Sequence, residues 1–246
     1  MFSGTYNAFT MTPIGIVHSP FHEKFGIPRQ PGLVPQVKGH IELLPPCHHA
    51  DCVRGLEAFS HIWVLFLFHN TAGDGWRPTV RPPRLGGRKK VGVFASRSNF
   101  RPNPIGQSVV RLDDIDLSGG KVILNISGHD LLDQTPVLDI KPYLGYADCI
   151  ADSRDGYAQA APASLEVTFS ADALAQCREL ERAGRSDMTQ LLRALLVQDP
   201  RPAFHKQRYP DKNYGMTFGD IGIKFEVSGN TLCVTRVTTE SGDDKR

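Results

Sequence analysis

Thirteen residues, Phe94-Ala-Ser-Arg-Ser-Asn-Phe-Arg-Pro-Asn-Pro-Ile-Gly106, put two guanidinium groups, two carboxamides and two aromatic rings on backbone with little freedom. Pro102 and Pro104 fix their own φ and push Arg101 and Asn103 into extended conformations, so the segment is built to present side chains. It lies in a window, Gly75 to Leu112, that carries nine Lys and Arg and no Asp or Glu, in a chain whose formal net charge is only +2. Trp76, Phe94 and Phe100 are interleaved with Arg77, Arg81, Arg84 and Arg88. Cations beside aromatic faces suit nucleic acid or a nucleotide, which offers phosphates next to stackable rings. A second basic and aromatic cluster, Arg201, Phe204, His205, Lys206, Arg208, Tyr209, Lys212 and Tyr214, lies far along the chain. Two separated patches imply a long polyanion rather than one small phosphate.

Other groups are weaker alone. Phe25-Gly-Ile-Pro-Arg-Gln-Pro-Gly32 is a proline-bracketed loop displaying Arg29 and Gln30, although a rigid surface turn has the same composition. Leu131 to Tyr143 places Asp133, Asp139, Lys141 and Tyr143 around a turn and the strand leaving it; Asp139 and Lys141, two apart, share a face and could be a plain surface ion pair. His61 and His69 flank an apolar strand, where histidine is usually structural. Cys47-His-His-Ala-Asp-Cys52 offers metal-ligand types, but the spacing is not that of a Cys-x2-Cys knuckle and no second pair stands opposite, so a polar loop without metal is expected. No glycine-rich nucleotide fingerprint, Walker lysine, Gly-x-Ser-x-Gly elbow or His-Glu-x-x-His occurs, which argues against a doubly wound nucleotide fold and the common hydrolases.

The elements that must hold these loops are β-type. Ile14 to His18, Val37 to Leu43, Phe59 to His69, Val91 to Ser96, Ser108 to Leu112, Val122 to Ser127 and Val137 to Tyr143 are short runs separated by Gly and Pro, with no helix-period segment between them. Such spacing predicts an antiparallel barrel or sandwich. Phe59 to His69 is apolar on both faces and belongs in the middle of the sheet. After a polar stretch from Asp152 to Ala163, which reads as a linker, the pattern changes. Leu165 to Phe169 reads as a strand, Ser170 as the N-cap of a helix ending near Gly184, and Ser186 as the cap of a second helix with Met188, Leu191, Leu192, Leu195 and Leu196 on one face. Ile221 to Val227 and Leu232 to Thr238 read as a hairpin, and the last eight or so residues as frayed. The expected architecture is mainly β: a non-Rossmann antiparallel barrel over residues 1–150 and a small α+β domain over 164–238.

Composition agrees with an ordinary globular chain of 246 residues, 40% apolar and 22% charged. Five scattered cysteines and no basic, apolar leader point to a reducing cytoplasm. The longest strongly apolar run, Ile62 to Phe68, is far short of the roughly 20 residues of a membrane helix.

Four motifs in order, Pro-Arg-Gln30, Leu-Phe-His69, Phe-Ala-Ser-Arg-Ser-x-x-Arg-Pro-Asn-Pro-Ile-Gly106 and Leu-Asp-Gln-Thr-Pro-Val-Leu-Asp-Ile-Lys-Pro-Tyr143, resemble the TrmO family, also called TsaA-like or YaeB-like. The likeness spans about Pro13 to Tyr146 and continues in Gln198-Asp-Pro-Arg-Pro-Ala and Tyr214-Gly-Met. Ser96 stands where the family pattern has Thr, and Gln134 where Gly is usual before Thr135, which bears on a tight turn. The resemblance implies a methyltransferase that uses S-adenosylmethionine (SAM) on a β-barrel, works as a homodimer, and methylates N6 of N6-threonylcarbamoyladenosine next to the anticodon of tRNA. It implies a cofactor pocket drawn from Pro28, Arg29, Gln30, His69, Asn70, Arg97, Asp130, Leu131, Leu132 and Asp133.

Methyl transfer from a sulfonium is an in-line displacement that needs orientation and electrostatics but no covalent nucleophile from the protein. The accepting nitrogen must lose a proton, for which Asp139 and Tyr143 are the expected bases, with Lys141 orienting the substrate carboxylate. Arg101, Asn103, Arg84, Lys206 and Arg208 are the expected tRNA contacts. Two other readings use the same residues: a noncatalytic RNA-binding module, and a SAM-dependent methyltransferase of a small molecule.

Overall fold

The computed structural model describes residues 10–160, 164–185, 187–201 and 212–239. Twelve strands appear in chain order: β1 Gly15–His18, β2 Lys38–Leu43, β3 His61–Leu67, β4 Thr79–Val80, β5 Val91–Gly92, β6 Ile105–Asp116, β7 Ile123–Ser127, β8 Pro136–Pro142, β9 Glu166–Phe169, β10 Tyr214–Phe218, β11 Ile221–Ser228 and β12 Thr231–Thr239. Among the described residues three α-helices accompany them: a single turn α1 (Gly145–Asp148), α2 (Ala171–Arg182) and α3 (Met188–Leu196).

Six strands close into an antiparallel barrel in the order β1-β2-β7-β6-β3-β8, β8 returning to β1. Closure leaves no unpaired sheet edge, which an open sheet of this size would carry. β3 is flanked on both sides, by β6 and β8, as its two-faced apolarity predicts. Ile62, Val64 and Phe66 point into the buried barrel core, while Trp63, Leu65 and Leu67 are half-buried on the outer face. Two expectations need correction. The run Val91 to Ser96 is a strand only over Val91–Gly92, because a 3-10 turn at Val93–Ala95 bends the chain before the arginine motif. Conversely, β6 extends well beyond the expected Ser108 to Leu112, at both ends.

The chain then builds a four-stranded sheet, β10-β11-β12-β9, in which β9 runs parallel to β12. Ser170 caps α2, its hydroxyl accepting from the Ala173 N–H at 3.1 Å, and Gly184 follows the helix with φ +91°. The cap of α3 is Asp187, whose carboxylate accepts from the Gln190 N–H at 2.9 Å; the expected cap, Ser186, lies outside the described residues. The apolar stripe of α3 is buried as its spacing requires. β10 is a strand that the sequence did not mark; only its first residue, Tyr214, belonged to the basic, aromatic cluster.

Two hydrophobic cores result, one inside the barrel and one between the second sheet and its helices. The second core borrows Phe21, Val34 and Val37 from the segment between β1 and β2. Burying side chains of this size contributes on the order of 2 kcal/mol each, so the two units are joined by packing as well as by chain. Among the described residues no helix is long and apolar enough to cross a membrane, and no group of three or more His, Cys, Asp or Glu could hold a metal ion.

Candidate active site

A cavity of about 510 Å3 opens where the loop before β2, the turn after β3, the arginine motif and the chain after β7 converge. This lies in the range of roughly 300–1,000 Å3 typical of sites for small organic ligands. Its floor is apolar, formed by Ile27, Phe66, Phe68, Ile105 and Leu132. Phe66 and Phe68 meet edge to face with centroids 5.2 Å apart.

Hydrogen bonds across long sequence separations fix the polar walls. Arg97 Nη1 donates to Gln30 Oε1, joining the arginine motif to the Pro-Arg-Gln loop. Asn99 Nδ2 donates to Thr71 Oγ1 at 2.9 Å, tying the same motif to the 3-10 turn His69–Asp74, which carries His69 and Asn70. The Phe68 N–H donates to the Pro104 carbonyl at 2.8 Å, at the base of both loops. Within the motif, Arg101 turns back: Nη1 donates to the Ser96 carbonyl at 2.7 Å, and its guanidinium lies 5.8 Å from the Phe94 ring. Arg101 thereby holds the bend that aims Arg97.

One carboxylate sits in this cation-rich setting. Asp130 lines the cavity and accepts from Ser108 Oγ at 2.6 Å. Burial pushes its pKa up to about 6, against the opposing pull of the Ser108 hydrogen bond and, more weakly, of Arg97. His69 is shifted the other way: burial lowers its pKa, partly countered by a hydrogen bond to the Leu67 backbone, so the imidazole is neutral near pH 7.

Of the residues expected to hold a cofactor, Arg29, Gln30, His69, Asn70, Arg97, Asp130 and Leu132 share this one cavity. Pro28 is buried and Leu131 belongs to the barrel core. Asp133 faces elsewhere: Oδ1 accepts from the Ser19 N–H at 2.9 Å and Oδ2 lies 3.4 Å from His22 Nδ1.

The expected catalytic trio lies outside the cavity lining. Asp139 and Lys141 pair with Leu65 and Trp63 on the outer face of the barrel, where they form a 2.7 Å ion pair with each other. The Tyr143 ring stands 5.9 Å from that of Trp63. They share the face of Trp63, which lines the cavity, but carboxylate and ammonium are taken up with each other rather than with the lining. Among the expected tRNA contacts, Arg101 braces the motif, Asn103 is exposed on the proline turn, and Arg84 donates to the Ala160 carbonyl at 2.6 Å. Lys206 and Arg208 lie outside the described residues, as do Phe204, His205 and Tyr209. Arg201 and Tyr214, assigned to an exposed patch, are instead buried, at 6% exposure each.

Reading the sequence missed Phe66, Phe68, Thr71, Asn99 and Ser108. Only Gly106 could have signalled the first: a glycine inside a strand marks close approach of another group, here the Phe66 ring directly across from it.

The fold and the site together define a β-barrel ligand-binding enzyme with a cationic, apolar-floored cleft. Residues 16–149 match a family model described as the tRNA-methyltransferase O N-terminal domain, and residues 162–240 match the TrmO C-terminal domain. The chain belongs to the tRNA-methyltransferase O family. An Escherichia coli protein named tRNA (adenine(37)-N6)-methyltransferase is 48% identical over 223 residues, covering 90% of this chain and 94% of that one. A Pseudomonas aeruginosa protein provisionally named S-adenosylmethionine-dependent methyltransferase RcsF is 49% identical, covering 96% and 99%. The crystal structure of TrmO from Pseudomonas aeruginosa superposes with a TM-score of 0.79 at 39% identity, covering 95% of this chain and all of that one.

Proposed function

We propose that this chain is an S-adenosylmethionine-dependent tRNA methyltransferase acting on N6 of adenine 37, with N6-threonylcarbamoyladenosine as the acceptor nucleoside. The observation that carries this reading is that four family motifs, distant in sequence, line one cavity beside an acid-free basic window. The names of the relatives support it.

The residues present fit the methyl donor. Arg97, held by Gln30 and exposed at the mouth, suits an α-carboxylate. The aromatic and aliphatic floor suits a nucleoside, and His69, neutral, can hydrogen-bond to it. When bound, SAM supplies a methyl group on a positively charged sulfur. Asp130 is the carboxylate that lines the cavity among the described residues, and above pH 6 its ionised form can take a proton from the accepting nitrogen. This moves the proton-acceptor role from Asp139 and Tyr143 to Asp130. Arg81, Arg84, Arg88, Lys89 and Lys90, with exposed Trp76 and Phe94, form the surface for the anticodon arm. The reading includes a cytoplasmic homodimer and a division into a barrel unit, 1–150, and a tRNA-contacting unit, 164–238.

The test is mass spectrometry of nucleosides from tRNA incubated with protein and SAM. A gain of one methyl group on threonylcarbamoyladenosine is expected, and no gain with that substrate present rejects the reading. Arg97→Ala should weaken SAM binding, and Asp130→Asn should cut kcat by about 10²–10⁴-fold, the usual contribution of a positioned base. Asp139→Asn and Tyr143→Phe should leave kcat nearly unchanged.

A further inference from the structure

Arg29 lines the cavity, yet its guanidinium is held from the other unit: Nη2 donates to the Asp199 carbonyl at 3.0 Å and to the Arg201 carbonyl at 3.4 Å. Those two carbonyls reach one nitrogen because the chain kinks sharply between them. Asp199 has φ +52°, a left-handed conformation that costs a non-glycine residue on the order of 1 kcal/mol and persists only when its surroundings enforce it. A buried ion pair enforces it. Arg201 closes back on Asp199 through two parallel bonds, Nε to Oδ1 at 2.8 Å and Nη2 to Oδ2 at 3.0 Å, and its N–H also reaches Oδ1 at 3.3 Å. Both side chains are almost fully buried, at 4% and 6% exposure. The Asp199 N–H donates to the Leu196 carbonyl at 3.0 Å, fixing the turn to the end of α3, and the Arg201 guanidinium lies 6.0 Å from the Tyr214 ring.

The chain of contacts continues into the cavity. Gln30 Nε2 donates to the Arg29 carbonyl at 2.5 Å, and Gln30 Oε1 accepts from Arg97. Neither Asp199 nor Arg201 lines the cavity.

We propose that Asp199 and Arg201 are positioning residues for the cofactor cleft: their buried ion pair shapes a two-carbonyl cradle that fixes Arg29 and, through Gln30, Arg97. The inference rests on the function proposed above. A buried bidentate pair with complete hydrogen bonding is poorly suited to add net stability, since apolar residues of equal volume often do as well. Its geometry, by contrast, is what the cradle needs. Coupling is reciprocal, so a ligand that fixes Arg29 must also steady the turn that holds it.

Two measurements test this. The first is SAM titration by calorimetry of the double variant Asp199→Asn/Arg201→Gln, which keeps a polar side chain at each position but removes both charges and the two parallel bonds between them. The expected result is about tenfold weaker SAM binding and a matching rise in the KM for SAM, with kcat at saturation little changed and a native circular dichroism spectrum. In an Arg29→Gln background the same pair of changes should add less than twofold, because the cradle then has nothing to hold. Unaltered SAM affinity in the folded double variant, or full additivity with Arg29→Gln, overturns the proposal. The second uses the unmodified protein and stands even if the variant does not fold. Amide hydrogen exchange at Asp199 and Arg201 should slow several-fold when SAM is added, although neither residue lines the cleft. Exchange unmoved by saturating SAM overturns the proposal alone; absence of SAM binding to the unmodified protein removes the functional reading and this inference with it.

Discussion

His129 and Asp130 are neighbours in the chain, and burial drives their ionisation in opposite directions. His129 is fully buried against Gly39 and Phe21, and its pKa falls to about 4; Asp130, on the cavity wall, has its pKa raised to about 6. Desolvation is the leading cause in both, because it disfavours whichever form is charged. The Leu131 N–H donates to His129 Nδ1 at 3.3 Å, which places the ring proton on Nε2. Neutral His129 therefore anchors the loop that delivers Asp130 and Leu132 to the cavity.

The pair has a defined pH signature. An unfolded chain binds a proton at histidine near pH 6.5 while folded His129 does not until about 4, so acidification through that window costs stability. Folded Asp130 binds its proton near pH 6 and the unfolded chain only near 3.8, so acidification through that window adds stability. Shifts of about two units each correspond to roughly 3 kcal/mol at most, with opposite signs over nearly the same range. Asp130→Asn removes one partner of this cancellation and still accepts from Ser108. The variant is expected to melt higher than the unmodified protein at pH 7.5 and to lose that advantage progressively by pH 4. A difference in melting temperature that stays constant with pH would show that burial of Asp130 is not its source.

Gln134 yields a second prediction. The family pattern has glycine there, and the backbone explains why: Gln134 holds φ +58°, and its N–H donates to the Val17 carbonyl at 2.9 Å to close the turn before β8. The turn is kept and the side chain bears its steric cost, roughly 1–2 kcal/mol. Gln134→Gly relieves that cost and adds back some unfolded-chain entropy. The expected net gain is about 0.5–1 kcal/mol in urea denaturation, with SAM binding unchanged because Gln134 does not line the cavity. Loss of stability would mean that the Gln134 side chain makes up for its own strain.

Much of this architecture was legible in the residues. Alternation and Gly/Pro punctuation marked six of the barrel strands, and Ser170 with Gly184 marked the two ends of α2. The pocket was legible where a motif made both the loop and its contact, as with Arg97 and Gln30. What was not legible shares one physical cause: sequence gives the type of a side chain but not the partner that already holds it. Asp139 is paired with Lys141, and Asp133 with Ser19 and His22, and none of Asp139, Lys141 and Asp133 joins Asp130 in the cavity lining. Arg201 looked like a free cation because nothing local betrays that Asp199, two residues earlier, folds back onto it.

The cavity floor supplies the last prediction. Gly106 on β6 stands directly across from Phe66 on β3, and a Cβ built at Gly106 would fall 2.3 Å from the Phe66 ring. No positive φ demands this glycine; the aromatic ring does, since it occupies the space a side chain would take. Phe66 is itself only 8% exposed and packed edge to face on Phe68, so the ring cannot swing aside freely. Gly106→Ala must therefore drive Phe66 from its rotamer into the cavity, at a cost of about 1–3 kcal/mol for overpacking. At roughly 2–4 °C per kcal/mol for a chain of this size, a drop of several degrees in melting temperature is expected, together with weaker SAM binding. Phe66→Leu frees the same space, and the double variant Gly106→Ala/Phe66→Leu should lose less stability than the two single changes summed. Additive losses would mean that the ring and the glycine do not share that volume, and that the floor of the cavity is shaped by something else.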